Sequence, residues 1–225
     1  FDRMKRLGIV STPQLKASYA ARRRSGITIP SRFTHKLAEF FGIMLGDGRL
    51  APYQVIVTLG TKELAYVEYV VELIKDLFSV KPKVSLRKNG YRDVYLGSLD
   101  LVEWLLKKGL VHNKVAAQVD APKWLFTKEA FLRSFLRGFF DTDGSVYKLR
   151  FGIQLSFTNK SVPLLKSLHR ALALLDFYPS VASNSKIYVT RRREVVRFFK
   201  EVQPANPKHQ KRFKAFMEQL GQVDP

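Results

Sequence analysis

The chain has 225 residues, and its 39 Lys and Arg residues against 19 Asp and Glu residues give a net charge of +20. A charge this large and one-sided predicts a polyanionic partner. No segment reaches the roughly 18 apolar residues of a membrane-spanning helix, so nucleic acid is favoured over a membrane. The chain contains no cysteine, which excludes disulfides and thiolate metal sites and leaves oxygen or imidazole as metal ligands.

Composition also bears on location and on the choice of metal. The chain shows no N-terminal charged-then-apolar signal pattern. Together with the lack of cysteine, this predicts an intracellular protein, in the cytoplasm, at the nucleoid or in an organelle. With His at only four positions, a hard cation such as Mg²⁺, Ca²⁺ or Mn²⁺ is the favoured metal.

Residues 1–34 stand apart from the rest as a basic arm. Thr12 and Pro13 predict a helix start, with Thr as N-cap and Pro at the first helical position, and Gly26 predicts its end. The arginines at 22–24 suit the last turn of that helix because of its dipole. Two interpretations stay open: a solvated helix end, or an arm that contacts nucleic-acid phosphates.

Two segments share one unusual pattern, FFGIMLGDG at 40–48 and LRGFFDTDG at 136–144. Each is an apolar helix candidate that ends in an Asp-Gly pair, with the glycine expected as a left-handed helix terminator. The preceding acid, Asp47 or Asp143, then lies at the negative end of the helix dipole, at a cost of a few tenths to about 1 kcal/mol. A bound cation would offset that cost.

Small residues along one face of each helix let the two helices approach closely and bring both acids to one seam; they are Gly42, Gly46, Gly138 and Thr142. A single Asp-Gly pair is a common turn. Here the pair recurs 96 positions later, each time after an apolar helix in a very basic chain, which favours a functional interpretation.

The elements expected in the first half, 35–118, follow the motif helix over 35–48. They are a strand at 53–59, a helix at 64–78, a hairpin turning at Asn89-Gly90, and a helix at 99–108. A linker at 119–127 leads to the second half, 128–225. Its expected elements are a motif helix at 128–144, a strand at 150–158, a helix at 162–175, a strand at 186–190, a helix at 194–202 and a basic helix at 207–220.

This order reads as helix, two strands, helix, two strands, helix, given twice. Equivalent positions recur after 96 residues for the acids, 100 for the threonines at 58 and 158, and 94 for the lysines at 114 and 208, which indicates an internal repeat. The predicted fold is α+β, with two antiparallel sheets that each bury one face under helices and leave the other face open.

The two Asp-Gly segments, above all the second with its lead-in FLRGFFDTDGSV, resemble the paired motifs of the LAGLIDADG homing endonucleases in their single-chain form. The resemblance runs from about residue 35 to the C-terminus. It implies two pseudo-symmetric halves with saddle-shaped sheets, packed through the two motif helices. It also implies a monomer that needs no protein partner.

The resemblance further implies the site residues. Asp47 and Asp143 would bind divalent metal, with help from the backbone carbonyls of Gly46 and Thr142. Lys114 and Lys208 match the lysine that each half places near a scissile phosphate. Asn159 matches a polar residue that follows the strand threonine and organises solvent.

The chain departs from the family pattern at two places. The first half has Leu59 where the second has Asn159, which predicts unequal rates for the two strand cuts. Asp141 occupies an earlier acidic position of the second motif, where the first copy has Leu45. Because that position is largely structural in the family, its loss in one copy puts little in doubt.

The open sheet faces are predicted to read DNA, because Arg, Lys, Gln, Ser and Thr suit base edges in the major groove, which admits a two-stranded ribbon. The residues concerned in the first half are Arg49, Gln54, Thr58, Arg87, Lys88, Tyr91, Arg92 and Tyr95. Those in the second half are Tyr147, Lys148, Arg150, Gln154, Ser156, Thr158, Lys186, Tyr188, Thr190 and Arg192.

The function implied is that of an intron-encoded, site-specific endonuclease that cuts both DNA strands across the minor groove and leaves short 3′ overhangs. Mg²⁺ is the expected cofactor, with Mn²⁺ as an alternative activator and Ca²⁺ supporting binding without cleavage. The alternative is a catalytically silent DNA-binding regulator or an RNA maturase; retention of both acids favours the enzyme. A glycosidase with paired carboxylates gives no reason for the +20 charge, and the chain ends show no residues of a self-splicing intein.

Overall fold

The computed structural model describes residues 26–150 and 152–221. The predicted helix start at Thr12 and Pro13 and the arginines at 22–24 lie outside the described residues. Phe151, inside the strand predicted at 150–158, lies outside them too.

The first half contains three helices and four strands in the predicted order. They are α1 (His35–Leu45), β1 (Gly48–Ala51), β2 (Gln54–Leu59), α2 (Leu64–Phe78), β3 (Lys83–Leu86), β4 (Arg92–Gly97) and α3 (Leu99–Lys107). Side-chain caps fix two of the helix starts. The Thr34 hydroxyl accepts a hydrogen bond from the N–H of Leu37 at 3.1 Å, and the Ser98 hydroxyl accepts one from the N–H of Leu101 at 3.2 Å.

The second half follows a 3₁₀ helix, Lys123–Thr127, that lies within the predicted linker, and its described residues form four α-helices where those of the first half form three. Its elements are α4 (Glu129–Asp143), β5 (Gly144–Leu149), β6 (Gly152–Thr158), α5 (Val162–Leu174), β7 (Lys186–Val189), α6 (Arg192–Glu201) and α7 (Pro207–Gly221). Leu125 of the 3₁₀ helix is fully buried, so the connection between the halves is packed. Across both described ranges, none of the helices combines the length and the apolar character needed to cross a bilayer.

Two antiparallel sheets confirm the predicted α+β class, in the orders β1-β2-β4-β3 and β5-β6-β7. The repeat is less regular than predicted, because the described residues of the second half form three strands rather than four. Pro179 has no N–H to donate to a ladder, and the following chain makes only short contacts with β7. The N–H of Ser180 bonds the carbonyl of Tyr188 at 2.8 Å, and Ser183 forms an isolated bridge with Lys186.

The two halves meet where α1 packs on α4, as the small residues predicted. A Cβ atom on Gly42 would lie 2.2 Å from the carbonyl oxygen of Phe135. A Cβ atom on Gly138 would lie 2.1 Å from the carbonyl oxygen of Glu39. The helices are therefore in backbone-to-backbone contact, and only glycine fits at these two crossings.

The glycines after the acids differ from the prediction. Neither Gly48 nor Gly144 has a positive φ, so neither is a left-handed helix terminator. Instead, β1 and β5 begin at these glycines and fold back across the end of the preceding helix. A Cβ atom would lie 2.4 Å from Cα of Met44 in the first case and 2.4 Å from the carbonyl oxygen of Phe140 in the second. The physical reason for glycine here is close approach.

Replacing Gly138 with Ala should lower the free energy of unfolding by about 1–3 kcal/mol, because the added methyl group would overlap the backbone of the facing helix. Urea denaturation followed by circular dichroism measures this loss. Gly97→Ala is the matched control, since its methyl group would find its nearest neighbour at 3.9 Å. Equal losses for the two variants would contradict the backbone contact.

A candidate active site at the seam between the two halves

Asp47 and Asp143 lie beside each other at the seam. α1 ends at Leu45, so Asp47 stands two residues beyond it, whereas Asp143 is the last residue of α4. A Cβ atom on the adjacent Gly46 would lie 2.0 Å from the Thr142 hydroxyl oxygen and 3.6 Å from the Asp143 carboxyl carbon. The close helix packing thus brings together the four residues that the resemblance assigned to metal binding.

The surroundings of the two acids disfavour their negative charge. Burial raises the pKa of Asp143 to about 6, and repulsion from Asp47 contributes to the rise. Desolvation by neighbouring groups also raises the pKa of Asp47, even though this residue is exposed to solvent, while Lys208 and Lys114 oppose the rise. Both carboxylates also face the negative ends of helix dipoles. A cation between the two carboxylates would offset the desolvation of their charge, their mutual repulsion and the unfavourable helix dipoles.

Lys114 reaches the seam from the turn after α3. Its ammonium donates hydrogen bonds to the carbonyl oxygens of Met44 and Leu45, both at 3.1 Å, and to that of Gly46. These are carbonyls at the end of α1, so the lysine caps the helix. Burial lowers the pKa of Lys114 below its ordinary value, although the nearby Asp143 and Asp47 act in the opposite direction.

Lys208 lies at the start of α7 and forms an ion pair with Glu63, at 2.6 Å between Nζ and Oε1. Glu63 precedes α2 and belongs to the opposite half. It also accepts hydrogen bonds from the N–H of Gly60 at 2.6 Å and from Nδ2 of Asn206 at 2.7 Å. Burial acts to raise the pKa of Glu63, but the hydrogen bonds from Lys208 and Asn206 outweigh it and leave the pKa below its ordinary value.

Sequence analysis missed Glu63, because no motif surrounds it. The available signal was its place in the repeat. Glu63 is the N-cap of α2 and Ser161 is the N-cap of α5, so the two positions correspond, but only the first carries a charge.

Asn159 contacts the acid of its own half. Its Nδ2 donates to Oδ2 of Asp143 at 3.1 Å, and its Oδ1 accepts from the N–H of Ser161 at 2.9 Å. The amide is therefore fixed on both sides and orients the carboxylate. Leu59, at the corresponding place in the first half, is 1% exposed and packs in the core.

Asp141 supports the site from behind. Its carboxylate accepts hydrogen bonds from the N–H of Ala205 at 2.8 Å and from the N–H of Asn206 at 3.0 Å. Burial raises the pKa of Asp141 to about 8, against the effect of these two bonds. The carboxyl group holds the loop that leads to Lys208, which is a structural role.

The open face of the first sheet carries a polar network rather than free side chains. Thr58 donates to Oδ1 of Asp93 at 2.6 Å, and Nε of Arg87 donates to Oδ2 of the same carboxylate at 2.8 Å. Arg49 and Tyr95 lie on this face, paired across the sheet with Ile56. Gln54 is half-buried on β2, and Lys88 and Tyr91 are exposed at the hairpin tip. Arg92 pairs with the buried Leu59, on the opposite face from Thr58, so its predicted place on the open face is wrong.

The second sheet places its predicted contacts on two different faces. Gln154 and Ser156 are only 8% and 4% exposed, and Nε2 of Gln154 donates to the hydroxyl of Tyr147 at 2.8 Å. Lys148 pairs with the buried Ile153, on the opposite face from Tyr147, and its ammonium donates to Gln219. Half-buried on β6 and β7 are Thr158, Lys186 and Tyr188, whereas exposed positions outside the strands hold Arg150, Thr190 and Arg192.

The donor set at the seam fits a small hard cation. In the described part of the chain, no group of three or more His, Cys, Asp or Glu side chains could hold a metal. Two carboxylates and nearby backbone carbonyls remain, all oxygen donors. Mg²⁺ is usually bound through one or two protein carboxylates together with substrate phosphates, so this pair suits Mg²⁺ in the presence of nucleic acid.

The sequence comparison with protein families identifies the second half of the chain. A family model described as the LAGLIDADG-like domain matches residues 130–203, which include the second motif. The replication factor C small subunit of Methanocaldococcus jannaschii is 30% identical over 163 residues, which are 70% of this chain and 9% of that protein. An A-type ATP synthase subunit of Pyrococcus abyssi is 30% identical over 124 residues, or 55% of this chain and 12% of that protein. The chain spans about a tenth of the length of these relatives.

Solved structures extend the likeness to both halves. A structure of mesophilic variants from the homing endonuclease I-DmoI aligns with a TM-score of 0.54 and 16% identity, covering 75% of this chain and 94% of that one. The N-terminal LAGLIDADG domain of DUF199/WhiA aligns with a TM-score of 0.54 and 16% identity, covering 78% and 86%. The chain therefore has the fold of these structures, and residues 130–203 match the model of the LAGLIDADG-like domain.

Metal binding at the seam should weaken as the pH falls below about 6, because Asp143 must lose its proton to bind a cation. The expected loss in Mn²⁺ affinity is about tenfold per pH unit, since each bound ion then displaces one proton. Titration calorimetry from about pH 7.5 to pH 5 measures it. Asp143→Asn should bind weakly throughout and lose the pH dependence, and an unchanged wild-type affinity at about pH 5 would contradict the raised pKa.

Proposed function

We propose that the protein is a site-specific DNA endonuclease that hydrolyses both strands of a duplex with the help of a divalent metal. The observation that carries the proposal is the pair Asp47 and Asp143, brought together at the ends of two closely packed helices in a chain of net charge +20. The fold supports it, since I-DmoI is named a homing endonuclease and has been crystallised with DNA and Ca and with DNA and Mn.

Each side chain at the seam has a distinct role in this proposal. A bound Mg²⁺ would supply an activated water and neutralise the charge that develops on the phosphate. Asp47 and Asp143 would provide its anionic ligands, with Thr142 nearby, whereas the carbonyl of Gly46 accepts a hydrogen bond from Lys114. Asn159 holds the Asp143 carboxylate in place by its 3.1 Å hydrogen bond. With Mg²⁺ or Mn²⁺ we expect cleavage, and with Ca²⁺ binding alone.

The two sheets supply the DNA-binding surfaces. Their open faces carry the polar and basic side chains that suit base edges and phosphates. A monomer with two such faces, related by a pseudo-two-fold axis through α1 and α4, would bind a long, nearly palindromic site. With both acids at the centre, the cuts fall across the minor groove and leave short 3′ overhangs.

The curated relatives suggest how the gene is carried. A replication factor and an ATP synthase differ in name and in activity, yet the matched protein of each contains a stretch similar to this chain that makes up about a tenth of its length. Because the two proteins differ in activity, the shared stretch is not specific to the activity of either one. This supports an element that is inserted within other coding sequences and translated with them, since the product of an intron would not be part of the host polypeptide.

The alternative is a silent LAGLIDADG-fold protein that binds DNA as a regulator, or RNA as a maturase, without cutting. The LAGLIDADG domain of DUF199/WhiA aligns with the same TM-score as I-DmoI, 0.54, and its name does not describe an endonuclease. The fold is therefore compatible with this alternative. Asp47 and Asp143 favour the enzyme, because a pure binding protein has no need for two mutually repelling carboxylates at its centre.

Asp47→Asn and Asp143→Asn should each abolish double-strand cleavage while sequence-specific binding survives, because each removes an anionic metal ligand and no DNA-facing group. Gel assays of a cleaved plasmid and of a bound duplex in Ca²⁺ measure the two properties. Glu68→Gln, an exposed change on α2, is the matched control. Full cutting by either Asn variant would remove the metal assignment.

The target duplex for these assays is found by letting the protein select it from a library. Duplexes cut from a randomised library in Mg²⁺ are captured and their ends sequenced, which gives the site and the overhang together. A library bound but never cut would support the silent alternative.

Binding should weaken steeply with salt, because each neutralised phosphate contributes about −0.9 to the slope of log affinity against log salt concentration. If the two sheets contact about six to ten phosphates, affinity should fall by about 10³–10⁵-fold between roughly 50 and 200 mM salt. Fluorescence anisotropy of a labelled target duplex measures the slope. A flat response would contradict an interface built on the basic sheet faces.

A further inference from the structure

Lys114 and Lys208 occupy corresponding positions in the two halves, 94 residues apart, and both reach the seam. The repeat therefore suggests that they do the same job. Their hydrogen-bond partners, however, differ.

Lys114 uses its whole hydrogen-bonding capacity within the protein. A lysine ammonium has three N–H donors, and Lys114 gives them to three successive carbonyls, those of Met44, Leu45 and Gly46. These carbonyls end α1, where a cation also offsets the helix dipole. Lys114 is thus satisfied by the fold and has no donor left for a phosphate.

Lys208 makes a different use of its donors. Within the described residues it gives one N–H to Glu63, at 2.6 Å, which leaves two for a ligand. Its side chain is 32% exposed, and its charge acts on both Asp47 and Asp143. Lys208 therefore holds a positive charge beside the two acids and open to solvent.

Glu63 is a fixed partner for this lysine. Its side chain is only 15% exposed, and it is anchored by Gly60 and Asn206 independently of Lys208. Asn206 is in turn held by Asp141 of the second motif helix. An ion pair to an anchored, half-buried acid sets the position of the ammonium more firmly than a pair between two mobile surface chains.

The other half carries no acid at the corresponding position. Ser161, which corresponds to Glu63, donates its hydroxyl to the carbonyl of Val119 at 2.6 Å. This bond ties the second half to the first residue of the linker and carries no charge. Among the described residues, Lys114 bonds only to main-chain carbonyls.

We infer that Glu63 is a positioning residue that holds Lys208 for the phosphate of one DNA strand, whereas Lys114 is a structural cap of α1. The inference rests on the proposed function and deepens it. It makes the two strand cuts chemically unequal, since one depends on the Glu63–Lys208 pair and the other does not.

The test uses a target duplex with a different dye on each strand, cut in Mg²⁺ by the wild type and by Glu63→Gln, Lys208→Met and Lys114→Met. Lys208→Met should slow one strand by about 10²-fold or more, as removal of a donor to a developing negative charge does. Glu63→Gln should slow the same strand by about tenfold. The other strand and the thermal midpoint should change little in both variants, and the affinity for DNA in Ca²⁺ should fall only by the share of a single phosphate contact.

The double variant separates positioning from a general loss of structure. If Glu63 acts through Lys208, the combined Glu63→Gln and Lys208→Met change should be no slower than Lys208→Met alone. Lys114→Met should instead lower the thermal midpoint by about 2–4 °C or more, as expected for a lost helix cap in a chain of this size, and slow both strands together.

Equal slowing of both strands by Glu63→Gln, or additive effects in the double variant, would overturn the inference and leave the nuclease proposal intact. A wild-type protein that cuts neither strand would overturn the nuclease proposal, and with it the phosphate role of Lys208. The thermal midpoints decide the cap role of Lys114 in either case.

Discussion

The backbone contact between α1 and α4 is the constraint on which the rest of the structure depends. Gly42 and Gly138 let the two helices meet main chain to main chain, with no room for a single methyl group at either crossing. The contact joins the two halves and fixes the spacing of the helix ends. Because Asp47 and Asp143 lie at those ends, the packing of the helices also sets the separation of the carboxylates. The packing of the core therefore determines the geometry of the candidate active site.

Bringing two acids together has an electrostatic cost, and the surrounding residues show how the fold meets it. Burial and mutual repulsion raise the pKa of Asp143 to about 6. Lys208 and Lys114 lie near both carboxylates and offset part of their negative charge. Asn159 adds a hydrogen bond on one side only. With Glu63, which pairs with Lys208, the centre holds three carboxylates and two ammonium groups. The single excess negative charge favours a cation, inside a chain whose overall charge favours DNA.

The internal repeat is a good guide to architecture and a poor one to chemistry. Among the described residues, helix and strand positions correspond closely between the halves, with two exceptions: the second half lacks the fourth strand, and α7 has no counterpart helix in the first half. The polar groups at the seam do not correspond. Glu63 in the first half corresponds to Ser161 in the second, and Leu59 corresponds to Asn159. Each half therefore contributes different polar groups to the seam. Duplicated backbones keep their packing because packing is shared, whereas side chains at the seam meet different neighbours and diverge.

The sequence by itself determined the α+β class, most helix and strand bounds, the close helix pair and the candidate acids, because apolar periodicity, small-residue spacing and turn residues are local signals. It also led to an error at Gly48 and Gly144, where the local rule for helix ends gave way to close approach by the following strand. Only the tertiary structure brought Glu63 to Lys208 across 145 residues, and the Lys114 ammonium to the carbonyls at the end of α1. Those contacts join chain segments that no local pattern relates, so only the folded backbone decides which charges become neighbours.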